Sequence, residues 1–497
     1  MKKPSSLIIG SNGYEEKYIY LFAVIASSLL SVYLICQDDL INPDGYLYLE
    51  LAQEYLKSGT FSAFSIYGWP FYSIITALFH WLTHIPLELS FYIFSVVSDA
   101  VVVFYFLRIL SLLSNDKRAV LCGAIILLCA AVFNNYRDMV IRDHGFWAFM
   151  MAGFFYLLVS IRDKSPKFFL IALLCSVLAT FFRVEGVVFI ASYFLFFIAA
   201  HLKGISLRNQ ILWVLIPCSL LVTAFIIGFL LFSSSKLVQD VYLYLDVSSL
   251  ITGLLSGAGL IKEQFLPEYG DDYSVLFVVA GLLSILFVEV LGAIGKFYLL
   301  LLLLHVKPVI EWYRNNSVIL MMTFVSIIPL AAFVLVKYFV VTRYVFYTSL
   351  LMLIPLVCVI SETFSFKRNR LKSSVVAFLI FASFIDSVVS FNKTEKVFFK
   401  DAAYWASANL ASCGTIGTNH KILNYLINGS YAQTIFYGNN GTEDSIDYLV
   451  YYAKRKSGDL TRLENNGWLM LNSFVNNKSD HIYVLGKDSG DCKEKRQ

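Results

Sequence analysis

Charge is what this sequence has least of. Only 15% of its 497 residues are Asp, Glu, Lys or Arg, against about 25% in an ordinary soluble domain. Proline is scarce at 10 residues, and there is no internal repeat and no low-complexity linker. No Cys/His spacing suggests zinc. These absences exclude a disordered chain, a disulfide mini-scaffold and a water-soluble enzyme of this length. A net charge of +4 is too small to point to nucleic acid. Six of the eight cysteines (36, 122, 129, 175, 218 and 358) lie in apolar runs, where they behave as small apolar residues. Cys413 and Cys492 lie in the polar tail and could pair in an oxidising compartment.

What is present is apolar surface: 58% of the chain is hydrophobic, with 43 Phe and 31 Tyr. At about 20 apolar residues per crossing, the chain reads as an all-α polytopic membrane protein. Eleven runs qualify: Tyr18–Cys36, Phe91–Leu113, Ala119–Phe133, Gly145–Ile161, Phe168–Phe182, Gly186–Ala200, Ile211–Phe232, Val275–Leu304, Val318–Val336, Tyr344–Ile360 and Ser373–Val389. The run at Val275 is long enough to be tilted or broken. With the N-terminus inside, inner segments carry seventeen Lys and Arg, and outer connections carry eight. That bias supports N-in, and an odd count puts the C-terminus outside. A twelfth run, Trp69–Trp81, has Pro70 near its start and would invert every later loop if it crossed. It reads as an interfacial or re-entrant helix in a first outer loop over 37–90. A second large outer loop covers Ser233–Ser274. No cleavable leader is expected, because Met1–Lys17 is polar and the first run lacks a small-residue cleavage site.

Residues 1–390 thus form a membrane domain, and 391–497 are richer in Asn, Gly, Lys and Asp. Tyr448–Ala453 and His481–Leu485 read as strands and Asn439–Gly441 as a turn, giving a small extracytoplasmic α/β domain.

Ionisable groups inside the membrane default to functional hypotheses. Asp99, Glu289, Lys296 and Asp386 are such groups; Glu289 and Lys296, seven apart, share a helix face and could satisfy each other or a neighbour. On the outer side, Asp38, Asp39 and Asp44 follow the first span within seven residues. A helical pattern then runs from Tyr46 to Ser58, with Asp44 at an N-cap position and Gly59 as C-cap. Asp44 could simply cap that helix. Arg137, Asp138, Arg142, Asp143 and His144 lie before the fourth span, Arg183 and Glu185 in the next outer turn, and Lys337 and Arg343 between the ninth and tenth. Arginine's planar fork suits phosphate, so one membrane face collects acids and arginines at lipid-headgroup depth.

In this order, the residues resemble the GT-C superfamily of integral-membrane glycosyltransferases, nearest the bacterial PMT/ArnT-like group that uses polyprenyl-phosphate sugars. Asp44-Gly45-Tyr46 through Ala52 to Ser58-Gly59 is similar to the family's acidic motif and interfacial helix, and Gly68-Trp69-Pro70-Phe71-Tyr72 to its Pro-containing segment. Arg142-Asp143, Arg183-Val184-Glu185-Gly186 and Arg343-Tyr344 match the later motifs. The departure is Gly45, where many relatives carry a second acid; here that acid must come from Asp38, Asp39 or Asp143. The resemblance implies Asp44, Asp39 and Asp143 as catalytic acids and Arg142, Arg183, Arg343 and Lys337 toward the donor phosphate. It implies Tyr46, Tyr48, Trp69, Glu185 and His144 toward sugar and acceptor. The expected donor is a polyprenyl-phosphate-linked sugar, and the acceptor a glycan, lipid or protein. The expected place is the bacterial inner membrane. No cofactor is expected, although Asp38, Asp39 and Asp44 could hold a hard divalent cation.

Two rival readings follow from the residues. A polymerase or ligase acting on polyprenyl-diphosphate glycans would draw on arginines in large outer loops, and Ser233–Ser274 carries only Lys236 and Lys262. A transporter or flippase would show repeats or helices broken near the midplane.

Overall fold

A computed structural model describes residues 13–37, 40–114, 116–201, 246–363, 370–388, 396–428, 434–437, 445–455 and 459–487. The chain forms two compact units: Met1–Ile35 with Leu51–Val389, and Cys36–Glu50 with Ser390–Gln497.

The first unit is helical. Its elements are α1 (Gly13–Ile35), the C-terminal half of α2 (Pro43–Ser58), α3 (Thr60–Ile66), α4 (Phe71–Thr83), α5 (Leu87–Leu113), α6 (Lys117–Leu128), α7 (Ala131–Asn134), α8 (Asp143–Asp163), α9 (Pro166–Phe182) and α10 (Gly186–His201). After these come α11 (Val247–Gln264), α12 (Ser274–Ile294), α13 (Lys296–Leu304), α14 (Val306–Asn315), α15 (Ser317–Lys337), α16 (Thr342–Thr363) and α17 (Arg370–Val388). Among the described residues, 7 helices are long and apolar enough to cross a membrane, and Phe71–Thr83, Pro166–Phe182 and Gly186–Ala199 are shorter apolar helices. The expected span Ile211–Phe232 lies outside the described residues, as do residues 233–245 of the expected Ser233–Ser274 loop; the rest of that stretch is not an open loop but forms α11 and a short 3-10 helix, Glu268–Tyr273.

The spans differ in what they face. α8 and α16 are mostly buried, and α8 packs on α5, α9 and α10. Outer helices carry large apolar side chains on their surface, such as Phe22 at 70% and Phe287 at 62% exposure. In water that would be untenable; in lipid it is the expected solvent contact. Small residues allow the closest approach: a Cβ on Gly153 of α8 would sit 3.2 Å from the Ala172 carbonyl of α9.

Two runs are interrupted. The run at Val275 breaks at Gly295, whose φ of 86° and ψ of 141° end α12 and start α13. Glu289 and Lys296 therefore do not share one helix, and each has its own partner. Thr342 Oγ1 donates to Glu289 Oε2 at 2.7 Å, and Lys296 Nζ donates to Asp386 Oδ1 at 2.6 Å. The run at Ala119 likewise divides into α6 and the single turn α7.

The second unit is a five-stranded sheet with helices. β1 (Ile416–Thr418) lies between β2 (Thr434–Phe436) and β3 (Tyr448–Ala453), parallel to both. β5 (His481–Lys487) pairs antiparallel with β3 and with the edge strand β4 (Trp468–Val475). The helices α18 (Val397–Leu410), α19 (Lys421–Asn428) and α20 (Asp459–Asn465) complete it. α18 packs Phe398, Ala402 and Ala406 inward against the sheet. Ile446, Leu449, Trp468 and Leu485 form a core. The two expected strands are present, and β1, β2 and β4 are additions. Asn439–Gly441 lies outside the described residues. Cys413 is disulfide-bonded, and Cys492, with which it could pair, lies outside them.

The second unit also takes up the start of the first outer loop. Lys396 Nζ donates to the Leu40 carbonyl at 3.3 Å, and the Tyr46 and Tyr425 rings lie 4.7 Å apart. Lys421 and Asn424 act on the Glu50 carboxylate. Positions 46 and 50 of α2 thus meet positions 421, 424 and 425 of α19, each set one turn apart on its helix.

Candidate active site

Asp44 lies in the first turn of α2, one residue inside the helix rather than at its cap. The reason is local: Pro43 has no N–H to lose and a φ preset for the first helical position. The Asn42 carbonyl accepts from Gly45 N at 2.9 Å. Asp44 is half-buried, and Tyr46 and Tyr48 are buried in the same unit. Asp39 and Asp38 lie outside the described residues. Gly59 closes α2 with φ of 84°, its N–H bonding Tyr55 O at 2.9 Å.

Within the first unit, three of the expected residues converge. α9 ends at Arg183 in extended backbone, and α10 begins at Gly186. The intervening turn is tight: Gly186 N bonds Arg183 O at 3.1 Å, and Val188 N bonds Glu185 O at 3.1 Å. A Cβ on Gly186 would lie 2.8 Å from Thr180 N, so only glycine permits this approach. The turn aims Arg183 and Glu185 at the start of α8. Arg183 Nη1 donates to Asp143 Oδ1 at 2.5 Å, Nη2 donates to Glu185 Oε1, and Nε to Glu185 Oε2 at 3.3 Å. Its guanidinium lies 3.9 Å from the Tyr344 ring centre. The Arg183 and Asp143 side chains are each 3% exposed.

Burial alone would disfavour these charges. At Glu185 the adjacent Arg183 more than offsets burial and holds the carboxyl below its usual range. Burial likewise opposes the Arg183 charge, yet Glu185 and Asp143 hold it more firmly protonated than a free arginine. Arg343 and Arg142 stand within electrostatic reach of Asp143. Arg343 Nη2 also lies 3.5 Å from the Tyr344 hydroxyl, and Arg142 faces Tyr67 at 5.9 Å. Lys337 is in the last turn of α15, half-buried. Trp69 sits at the mouth of α4, its Nε1 donating to the Thr180 carbonyl at 3.2 Å.

His144 is placed differently from its neighbour Asp143. It is fully buried, with Nδ1 2.7 Å from Asp99 Oδ1 and Nε2 3.1 Å from the Met139 carbonyl. Both ring nitrogens thus face oxygens. Asp99 Oδ2 accepts from Ser31 Oγ at 3.1 Å and lies 3.7 Å from Arg137 Nη1. Arg137 is itself fully buried and donates to Ser27 Oγ, Ser31 Oγ and Asn134 Oδ1 at 2.9, 2.7 and 2.8 Å. This network ties α1, α5, α7 and α8 together. Asp99 inside an apolar run and Arg137 and His144 in an outer loop are each conspicuous in the sequence; that they answer one another could not be read from spacing.

Among the described residues, no group of three or more His, Cys, Asp or Glu is arranged to hold a metal ion. The acidic cluster that could hold one includes Asp38 and Asp39, outside those residues.

No family model matches the chain, and no curated protein matches it. Among solved structures it is similar to the oligosaccharyltransferase of Archaeoglobus fulgidus, solved with zinc and sulfate. The TM-score is 0.49 at 11% identity, over 93% of this chain and 72% of that one. It is similar to AglB from the same organism, in complex with an inhibitory peptide and a dolichol-phosphate, with a TM-score of 0.47 at 12% identity over 88% and 69%. It is also similar to ArnT from Cupriavidus metallidurans, with a TM-score of 0.37 at 10% identity over 93% and 97%. At such levels of likeness the chemistry rests on this chain's own side chains.

Proposed function

We propose that the protein is a membrane glycosyltransferase that moves a sugar from a polyprenyl-phosphate donor to an acceptor hydroxyl on the outer face of the membrane. The observation that carries this reading is the convergence of Asp143, Arg183 and Glu185 at the ends of α8, α9 and α10, with Arg142 and Arg343 in electrostatic reach. Those five residues come from three separate short motifs of the family pattern.

In this reading the acceptor hydroxyl loses its proton to Asp44 as it attacks the anomeric carbon. The bond from that carbon to the donor phosphate breaks, and the polyprenyl phosphate leaves as an anion. Direct displacement inverts the anomeric centre. Arg183 is already engaged by two carboxylates, so its part is to hold Asp143 and Glu185 in place. Arg142 and Arg343, with Lys337, stabilise the departing phosphate. Asp143 and Glu185 orient sugar or acceptor hydroxyls, and Tyr46, Tyr48 and Trp69 supply aromatic surface. Asp39 is the second acid of the loop.

The test is transfer from a polyprenyl-phosphate sugar by the purified Asp44→Asn variant. A general base contributes about 10²–10⁴-fold, so the expected loss is at least about 100-fold with an unchanged unfolding profile. Near-normal turnover overturns the assignment.

The rival reading is a lipid-linked sugar transporter, against which α12 runs 21 residues, a full span, before the break at Gly295. Counterflow without donor consumption in proteoliposomes distinguishes it.

A further inference from the structure

A cleft of about 990 Å³ opens in the first unit among α1, α5, α8 and the start of α9. It lies at the other end of the helices from Asp143 and Arg183. Its α8 lining runs from Phe155 to Asp163, and α8 begins at Asp143. Twenty residues at 1.5 Å each separate the two ends by about 30 Å, the thickness of a bilayer's hydrocarbon core. The cleft therefore belongs to the opposite membrane surface and to none of the chemistry above.

Its lining is divided by depth. Leu21, Val24, Phe104 and Val159 provide an apolar groove, while Lys17, Arg108, Arg162, Glu16 and Asp163 form the rim. Of the five rim charges, Arg162 and Asp163 cancel, and Glu16 is held by hydroxyls and keeps its charge, which leaves the rim net positive by one. Arg162 Nε pairs with Asp163 at 2.7 Å. Glu16 accepts from Tyr20 OH at 3.1 Å and from Ser111 Oγ at 2.9 Å. Lys17 and Arg108 remain, and among the described residues no ion pair engages either. Arg108 is instead held over aromatic rings, 5.1 Å from Phe155 and 5.9 Å from Tyr20. Rings fix a guanidinium while leaving its N–H fork free for an anion.

We propose that this cleft holds one acidic phospholipid of the adjoining leaflet, its phosphate against Arg108 and Lys17 and an acyl chain along Leu21, Val24 and Phe104. The rim lies at the first residues of α1 and the last of α8, where headgroups sit. The two remaining cations select a net negative headgroup over a zwitterionic one.

The test titrates phosphatidylglycerol onto the delipidated full chain in neutral detergent, read by native mass spectrometry. Each cation near a headgroup is worth about fivefold, so Lys17→Gln lowers affinity about fivefold and the Lys17→Gln/Arg108→Gln pair about 30-fold. Lys17 is exposed at the start of α1, so its variant tests the idea even where the Arg108 change disturbs packing. Lys372→Gln, an exposed basic residue of α17, leaves binding unchanged, and phosphatidylcholine binds at least tenfold more weakly than phosphatidylglycerol. Equal binding of the two lipids, or wild-type affinity in the double variant, overturns the proposal. So does displacement of the phospholipid by a lower concentration of polyprenyl monophosphate, which would make the occupant a carrier lipid.

Discussion

Replacing Arg183 by Gln removes the one guanidinium that touches both Asp143 and Glu185. Removing one partner of a buried ion pair costs about 3–5 kcal/mol, because the remaining charge stays buried and uncompensated. Here two buried carboxylates lose their shared partner, with Arg142 still in electrostatic reach of both and Arg343 of Asp143, and the Tyr344 ring loses the cation 3.9 Å from its centre. The folded-to-unfolded ratio should fall about 10²–10⁴-fold. Equilibrium unfolding in mixed micelles measures it, and the same preparation assayed for sugar transfer separates stability from turnover. The pH dependence carries the sign. In the wild type, Glu185 is held below its usual range, so its contribution is present at neutral pH and is lost as pH falls through that lowered value. In Arg183→Gln the crowded carboxylates favour proton uptake, so part of the lost stability returns as pH falls from 7 to 5. Adding Glu185→Gln should relieve the variant at pH 7, with a coupling of about 0.5–3 kcal/mol in the double-mutant cycle. A loss within about 0.5 kcal/mol, the scatter of ordinary surface substitutions, or parallel pH slopes for variant and wild type, would refute the reasoning.

Two further outcomes follow from the same geometry. Gly186→Ala places a Cβ 2.8 Å from Thr180 N, so the turn must shift. The expected cost is about 1–3 kcal/mol, and the loss of transfer should exceed what unfolding explains, because Arg183 and Glu185 move with that turn. In the second unit, burial beside Phe399 and Tyr452 lowers His420 from 6.5 to about 4. The unfolded chain then binds more protons between those values, so stability is full above pH 6.5 and falls by up to about 3 kcal/mol toward pH 4. Hydrogen exchange in β1 and β3 of the full chain reads that slope, and His420→Gln should flatten it.

The apolar runs were legible because each is a local pattern, and the Arg183-Val184-Glu185-Gly186 turn because charge is conspicuous between two such runs. What stayed hidden is pairing across distance. Asp99 is 45 positions from His144, and no periodicity joins a mid-span acid to a loop histidine. The break at Gly295 had a signal, a glycine followed by Lys296 within an apolar stretch, yet the run's length left tilt as an equal explanation. The strands β1 and β2 are three residues each, too short for alternation to register. The association of Cys36–Glu50 with the C-terminal residues is likewise a long-range matter, carried by single contacts such as Tyr46 with Tyr425.

That association sets an order in time. Tyr46 leaves the ribosome early, with the first helices, while Lys396, Lys421 and Tyr425, which hold its segment, are made more than 300 residues later. At about 5–20 residues per second, the segment bearing Asp44 waits some tens of seconds for its packing partners. The membrane helices can be inserted and settled during that interval, but the acidic loop reaches its final form only once residues 396–425 have been made.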